Sequence, residues 1–163
     1  MGRIRLVRLE CCQYDETEQF RYKTKPDMRI IGLYGHGRCG KSATLNFLKE
    51  LLRAAGKSLS VEPHPNCDMP ETFEYHGMIV CVAPGGDTRE IVETNCRYFK
   101  MKGCDVAFSA SRTKFGSPAA LNEFAASLGV EVDWIPKSYE YNLSESTQAL
   151  CNRETADFLF SKL

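Results

Sequence analysis

Apolar and polar positions alternate between strand-like and helix-like periods from residue 28 onward. Residues 28–34 form a short, mostly apolar run that is typical of a buried strand. Residues 42–53 then place Leu and Phe at helical spacing, and Gly56 follows as a stop. The same alternation predicts further strands at 57–62, 77–83, 104–109 and 130–135, and further helices at 88–102, 118–128 and 144–163.

This order of elements predicts an α/β fold, namely a doubly wound, mainly parallel five-stranded sheet with helices on both faces. Ligands of such sheets bind outside the carboxyl ends of the strands. Residues 1–27 differ in pattern, and we expect them to form an N-terminal extension or a hairpin on the sheet edge. Residues 28–163 are then the folded domain, which is long enough to bury a core.

Composition and charge change this picture only slightly. The chain has 21 Lys and Arg against 21 Asp and Glu, so it shows no strong nucleic-acid signal. It also lacks an apolar run of about 18 residues, so we expect no membrane span. Its eight cysteines form no C-x-x-C pair, and Cys81 and Cys104 read as small apolar residues of strands. These features favour a cytoplasmic protein with reduced thiols.

One segment carries a specific chemical signature. Residues 35–42 read G-H-G-R-C-G-K-S, a complete Walker A phosphate-binding loop between the first strand and the first helix. In this motif the backbone N–H groups surround the phosphates, Lys41 reaches the β- and γ-phosphates, and the Ser42 hydroxyl ligates Mg²⁺. The predicted nucleotide-binding residues are Gly35, His36, Gly37, Arg38, Cys39, Gly40, Lys41, Ser42 and Ala43.

The landmarks after this loop resemble those of the partition and septum-positioning ATPases, the ParA/MinD-like branch of the P-loop NTPases. Ala55-Gly56-Lys57 leads to a strand that ends near Glu62 and a proline-containing loop. A later strand ends in V-A-P-G-G-D at residues 82–87, where the branch carries Asp-x-Pro-Gly. The resemblance covers residues 28–137 and implies ATP or another nucleoside triphosphate, Mg²⁺, and a homodimer or protein partner.

Two positions depart from that branch and affect the expected chemistry. His36 stands where the branch has a second lysine, and Val82 stands where it has the acid that holds the Mg²⁺ shell. Asp87 and Glu62 are therefore the candidate catalytic acids beside Lys41. Asp87 could instead cap a helix, and Glu62 could be a solvated strand end. The sequence thus predicts nucleotide binding more firmly than slow hydrolysis.

The sequence is also compatible with two other functions. A small-molecule or nucleotide kinase would hold an anionic acceptor at the 84–87 turn with Arg89, and Arg112 and Lys114 would form a basic lid or a solvated loop. A non-hydrolysing nucleotide-binding switch would act through a partner that contacts residues 139–141 or the N-terminal segment. The absence of an Asn/Thr-Lys-x-Asp element on a suitable strand end favours adenine over guanine.

Overall fold

The structure is a computed structural model that describes residues 27–59, 68–138 and 142–163. Residues 1–26, Glu62 and residues 139–141, for which the sequence makes predictions, lie outside the described residues. The elements in chain order are β1 (Arg29–Gly35), α1 (Lys41–Ala55), β2 (Lys57–Ser58), β3 (Glu71–Tyr75), β4 (Met78–Ala83), α2 (Arg89–Lys102), β5 (Val106–Arg112), α3 (Ser117–Ser127), β6 (Val132–Pro136) and α4 (Glu145–Phe160).

The strands form one mixed sheet in the order β2-β3-β4-β5-β1-β6. β4, β5, β1 and β6 run parallel, whereas β3 pairs antiparallel with both β2 and β4. The α/β class with a mostly parallel sheet is therefore confirmed, but the predicted number of five strands is wrong. The described sheet has six strands, and the additional strand is β3, which the sequence does not predict. The strand predicted from residue 57 continues only to Ser58 in the described part.

Helices cover both faces of this sheet, as the pattern predicts. α1 and α4 pack together on one face, and α2 and α3 pack together on the other. The first layer closes over fully buried side chains that include Leu33, Leu45, Val82, Phe108 and Leu159. The second layer closes over Ile30, Val92, Ala120 and Leu121. No helix in the part of the chain that the structure describes is long and apolar enough to cross a bilayer.

A disulfide between Cys81 and Cys104 joins β4 to the segment that enters β5. The two Cα atoms lie 6.1 Å apart across a sequence separation of 23 residues. The prediction that both are reduced thiols is therefore wrong, although both are buried among apolar side chains as expected. No local spacing marks this pair, because the cysteines meet only after α2 has returned the chain to a neighbouring strand. Closing a loop of this length stabilises the fold by about 3 kcal/mol.

A buried charge cluster fastens β3 to α1. The Glu71 carboxylate, on a residue only 2% exposed, accepts hydrogen bonds from Arg53 Nε at 3.1 Å and Ser58 Oγ at 2.8 Å. Lys49 Nζ lies 3.9 Å from the same carboxylate and donates to the Met69 carbonyl at 2.8 Å. Hydrophobic periodicity does not reveal such a strand, because its first buried side chain is an acid whose partners lie elsewhere in the sequence.

We expect Glu71→Gln to destabilise the fold by about 3 kcal/mol, because it removes the charge that compensates buried cations. Urea unfolding measures the change. The matched control is Glu93→Gln, whose carboxylate accepts from Arg89 Nε at 2.7 Å on the solvated side of α2 and should matter little. Equal stability of the two variants would contradict a structural role for the buried cluster.

Candidate phosphate-binding site

The 35–42 loop lies at the carboxyl end of β1 and leads directly into α1. β1 is an inner strand, with β5 and β6 parallel on its two sides. The loop therefore stands at the edge of the sheet where the parallel strands end, which is the predicted position for a ligand. Arg38 holds a left-handed backbone with φ 64°. Because this conformation is uncommon for a residue with a side chain, the loop is a constrained turn.

α4 supports the loop from behind through a set of polar side chains. Gly40 has φ 90°, and a Cβ placed there would lie 2.4 Å from Asn152 Oδ1. Asn152 is buried and accepts from Gln148 Nε2 at 3.2 Å and from Thr44 Oγ1 at 3.4 Å. Gln148 Nε2 also lies 3.5 Å from the Cys39 carbonyl that it donates to. The final helix therefore fixes the loop, a role for which the sequence of α4 gives no signal.

Lys41 is buried inside the curve of the loop. Its residue is 6% exposed, and Nζ donates to the carbonyls of Gly35 at 3.0 Å and His36 at 2.7 Å. Cys39 Sγ lies 3.7 Å from the same nitrogen. The loop's own backbone thus holds the ammonium group beside its N–H groups, where it can also reach a bound anion.

The 84–87 turn reaches this loop from β4, although β5 lies between β4 and β1. Ser42 Oγ donates to the Pro84 carbonyl at 3.1 Å. The turn passes directly over β5, because a Cβ at Gly86 would lie only 2.0 Å from the Ala110 carbonyl oxygen. A side chain at this position would displace the turn and separate it from Ser42.

Asp87 and Arg112 form an ion pair at the mouth of the loop. Arg112 Nε donates to Asp87 Oδ1 at 2.8 Å, and a Cβ at Gly37 would lie 3.1 Å from Arg112 Nη2. Asp87 is not the helix cap considered from sequence, because Thr88 caps α2 by accepting from the Ile91 N–H at 3.4 Å. Arg112 is likewise not simply a solvated loop charge, since it lies against the phosphate loop.

These side chains line a cleft of about 390 Å³ with a surplus of positive charge. Three cations face one carboxylate, and the α1 amides open onto the same space. Within the described ranges, no side chain caps α1 and its first turn carries no acid. An uncapped helix N-terminus beside three cations favours an anion. The functional groups of the cleft are those of Arg38, Lys41, Ser42, Asp87 and Arg112.

Several predicted residues lie outside the cleft lining. His36 is exposed and contributes its carbonyl to Lys41, while Cys39 is fully buried behind the loop. The side chains of His36 and Cys39 therefore do not line the cleft. Ala43 does line the cleft, and it also borders a second cavity of about 420 Å³ that adjoins Phe47 on α1.

The residues expected to serve a kinase are only partly assembled in the cleft, because Arg89 and Lys114 lie outside it. Arg89 is held on the outside of α2 by Glu93 and Glu123, and these two carboxylates raise its pKa, that of Glu123 most strongly. Lys114 is exposed on the segment after β5. Of the residues proposed for an acceptor or a lid, Arg112 lines the cleft together with Pro84, Gly86 and Asp87 of the 84–87 turn.

A Mg²⁺ ion would find one hydroxyl and one carboxylate here, those of Ser42 and Asp87. Among residues 27–59, 68–138 and 142–163, no three His, Cys, Asp or Glu side chains are placed to hold a metal together. Proteins usually bind Mg²⁺ through one or two carboxylates, with substrate phosphates and water completing the shell. The Ser42 hydroxyl and the Asp87 carboxylate therefore fit the share of a Mg²⁺ shell that a protein usually supplies.

Comparisons with known proteins find no matching family model, no matching curated protein and no matching solved structure. What the cleft binds must therefore follow from its own residues.

We expect Gly40→Ala to disrupt the loop far more than Gly129→Ala. Both glycines have a left-handed backbone, with φ 90° and φ 72°, so both variants incur a strain of about 1 kcal/mol. A Cβ at Gly129 meets no atom within 4 Å, whereas at Gly40 it collides with Asn152. Urea unfolding and the amide NMR shifts of residues 35–44 measure the difference. Equal costs for the two variants would contradict the support of the loop by α4.

Proposed function

We propose that the cleft binds a nucleoside triphosphate together with Mg²⁺ and hydrolyses it slowly, in the manner of a P-loop NTPase. The observation that supports this most directly is the meeting of Lys41, buried in the loop, with the uncapped N-terminus of α1. A buried ammonium group beside an uncapped helix N-terminus favours a strongly anionic ligand, and a polyphosphate is one. This proposal also assigns the α/β fold to the P-loop NTPase class.

Each group at the loop has a distinct part in holding the phosphates. The N–H groups of residues 37–42 surround the β-phosphate, and Lys41 donates to the oxygens shared by the β- and γ-phosphates. Arg38, exposed at the rim, reaches the outer oxygens. Ser42 would exchange its bond to the Pro84 carbonyl for a place in the Mg²⁺ shell.

The cavity of about 420 Å³ provides the space for base and ribose. Arg38 and Ala43 border both this cavity and the phosphate cleft, so one ligand can extend from one to the other. Phe47 gives it an aromatic wall and carries the Arg153 guanidinium 4.4 Å from its ring centroid. Gln148 adds an amide that can donate and accept. We propose adenine as the base, on the sequence argument alone.

Hydrolysis is assigned to the pair of Asp87 and Arg112. Val82, at the position of the expected acid, is buried in the core and cannot approach the metal. Asp87 is 61% exposed and Arg112 33% exposed, so separating their ion pair costs little. Asp87 would then hold a water molecule bound to Mg²⁺. Arg112 would contact the γ-phosphate and neutralise charge on the transferring group.

A non-hydrolysing switch is the second candidate, and one observation favours it. Asp87 is the only carboxylate among the described residues that line the cleft, and Arg112 already neutralises it. If that pair persists when nucleotide binds, no acid serves the metal and the protein would signal by binding alone. A homodimer or protein partner and a cytoplasmic location stay predictions.

We expect Lys41→Ala to weaken binding of ATP with Mg²⁺ by at least about tenfold, because it removes a charge-assisted hydrogen bond from the phosphates. Isothermal titration calorimetry measures the affinity, and thermal unfolding checks that the variant is folded. Lys114→Ala is the matched control, since that lysine is exposed outside the cleft. Unchanged affinity in the Lys41 variant would refute the phosphate-binding assignment.

We expect Asp87→Asn to abolish phosphate release from ATP while nucleotide still binds, and Arg112→Ala to slow release strongly. The assay measures phosphate with ATP alone and again with small hydroxyl or phosphate acceptors. Loss of release in Glu62→Gln with full activity in Asp87→Asn would transfer the role to Glu62. No release by the wild-type protein, together with tight binding, would favour the switch.

A further inference from the structure

A third cavity, of about 520 Å³, lies between the end of β6 and α4. One part of its wall is apolar and the other part is polar. In the described part of the chain it shares no lining residue with the phosphate cleft, although it borders the proposed base cavity at Leu143 and Gln148. The apolar wall consists of Ile135, Pro136, Leu143 and Phe158, and the polar wall of Lys137, Ser138, Gln148, Cys151, Glu154 and Thr155.

Lys137 is the unusual member of this wall. The residue is 7% exposed, and its ammonium group donates to the neutral hydroxyl of Thr155 at 3.2 Å. Across the described residues, no Asp or Glu lies within ion-pair distance of it. An ammonium group has three N–H donors, so one hydroxyl leaves it poorly satisfied. Burial lowers the pKa of Lys137, and the nearby Cys151 and Cys39 thiols act in the opposite direction.

The carboxylate on the cavity wall does not remove this cost. Glu154 is exposed, and the ionisable neighbours that act on Lys137 are Cys151 and Cys39. A buried cation without a carboxylate is unfavourable for folding, and a methionine of similar length would avoid the cost. Groups that cost stability in a cavity are frequent at functional sites. An anion bound in the cavity would compensate the charge of Lys137.

We propose that this cavity is a second ligand site, which binds a small organic anion with an apolar body. The anionic group accepts from Lys137, and the apolar body packs against Leu143 and Phe158. The site goes beyond the nucleotide function and does not require it. It is nonetheless connected to the phosphate loop, because the Lys137 N–H donates to the Tyr34 carbonyl of β1 at 2.7 Å and Gln148 donates to the Cys39 carbonyl. A ligand in the cavity would therefore also restrain the loop.

The test uses 8-anilinonaphthalene-1-sulfonate, a fluorescent aromatic anion, as the probe for the full chain. We expect saturable binding that Lys137→Met weakens at least about tenfold, through loss of a charge-assisted bond. The same variant should raise the thermal unfolding midpoint, because a buried charge is removed while the apolar stem is kept. Lys100→Met, at an exposed position on α2, should change neither quantity.

Two further measurements distinguish this site from the nucleotide site and from a structural role. Phe158→Ala, at a half-exposed position of the apolar wall, should weaken the probe without unfolding the protein. Saturating ATP with Mg²⁺ should leave the probe bound. Displacement of the probe by ATP, unchanged probe affinity in Lys137→Met, or a lower unfolding midpoint in that variant would each overturn the proposal. If ATP does not bind at all, the effects of Lys137→Met and Phe158→Ala still decide it.

Discussion

The close approach of α4 to the phosphate loop is the contact on which the candidate site depends. Gly40 and Asn152 are so near that one additional carbon would bring atoms to 2.4 Å. Through this contact, the last helix in chain order fixes the loop that follows the first described strand. The loop sequence supplies flexible glycines, but a single conformation needs a rigid surface to pack against. The buried amide of Asn152 and the half-buried amide of Gln148 provide that surface, and they hydrogen-bond Thr44 of α1 and the Cys39 carbonyl of the loop.

The buried lysines differ in how completely the protein compensates their charge, and this difference distinguishes a structural role from a role in binding. Lys49 is buried with the Glu71 carboxylate and the Met69 carbonyl beside it, so it stabilises the join between α1 and β3. Lys41 is held by two carbonyls, which position it but do not neutralise it. The Lys137 ammonium group has only a hydroxyl as its hydrogen-bond partner among the described residues. The less completely a buried cation is compensated by the protein, the more strongly its position favours a bound anion.

The sequence predicts those parts of the site that depend on neighbouring residues along the chain. β1, the loop and α1 follow from a continuous apolar run, a motif and a helical period, so they could be located without a structure. The apolar pattern does not predict β3, because Glu71 is buried only through its pairing with cations of α1. Nor does it place Arg112 beside Gly37, because that position depends on the pairing of β5 with β1. The disulfide also depends on which strands become neighbours. Strand order and helix packing are properties of the whole chain, and local patterns carry little information about them.

The arrangement of α4 connects the two proposed sites more closely than their separate linings suggest. Gln148 and Asn152 are four residues apart and contact the loop, while Cys151 and Thr155 are four residues apart and line the third cavity. Residues four apart share one face of a helix. The second pair is displaced from the first by three residues, so the face that contacts the loop lies next to the face that lines the third cavity. A ligand that orders either face restricts the same rigid element. Coupling between binding sites is reciprocal. If an anion in the cavity changes the affinity for nucleotide by some factor, nucleotide changes the affinity for the anion by the same factor. α4 is the element through which both effects would act.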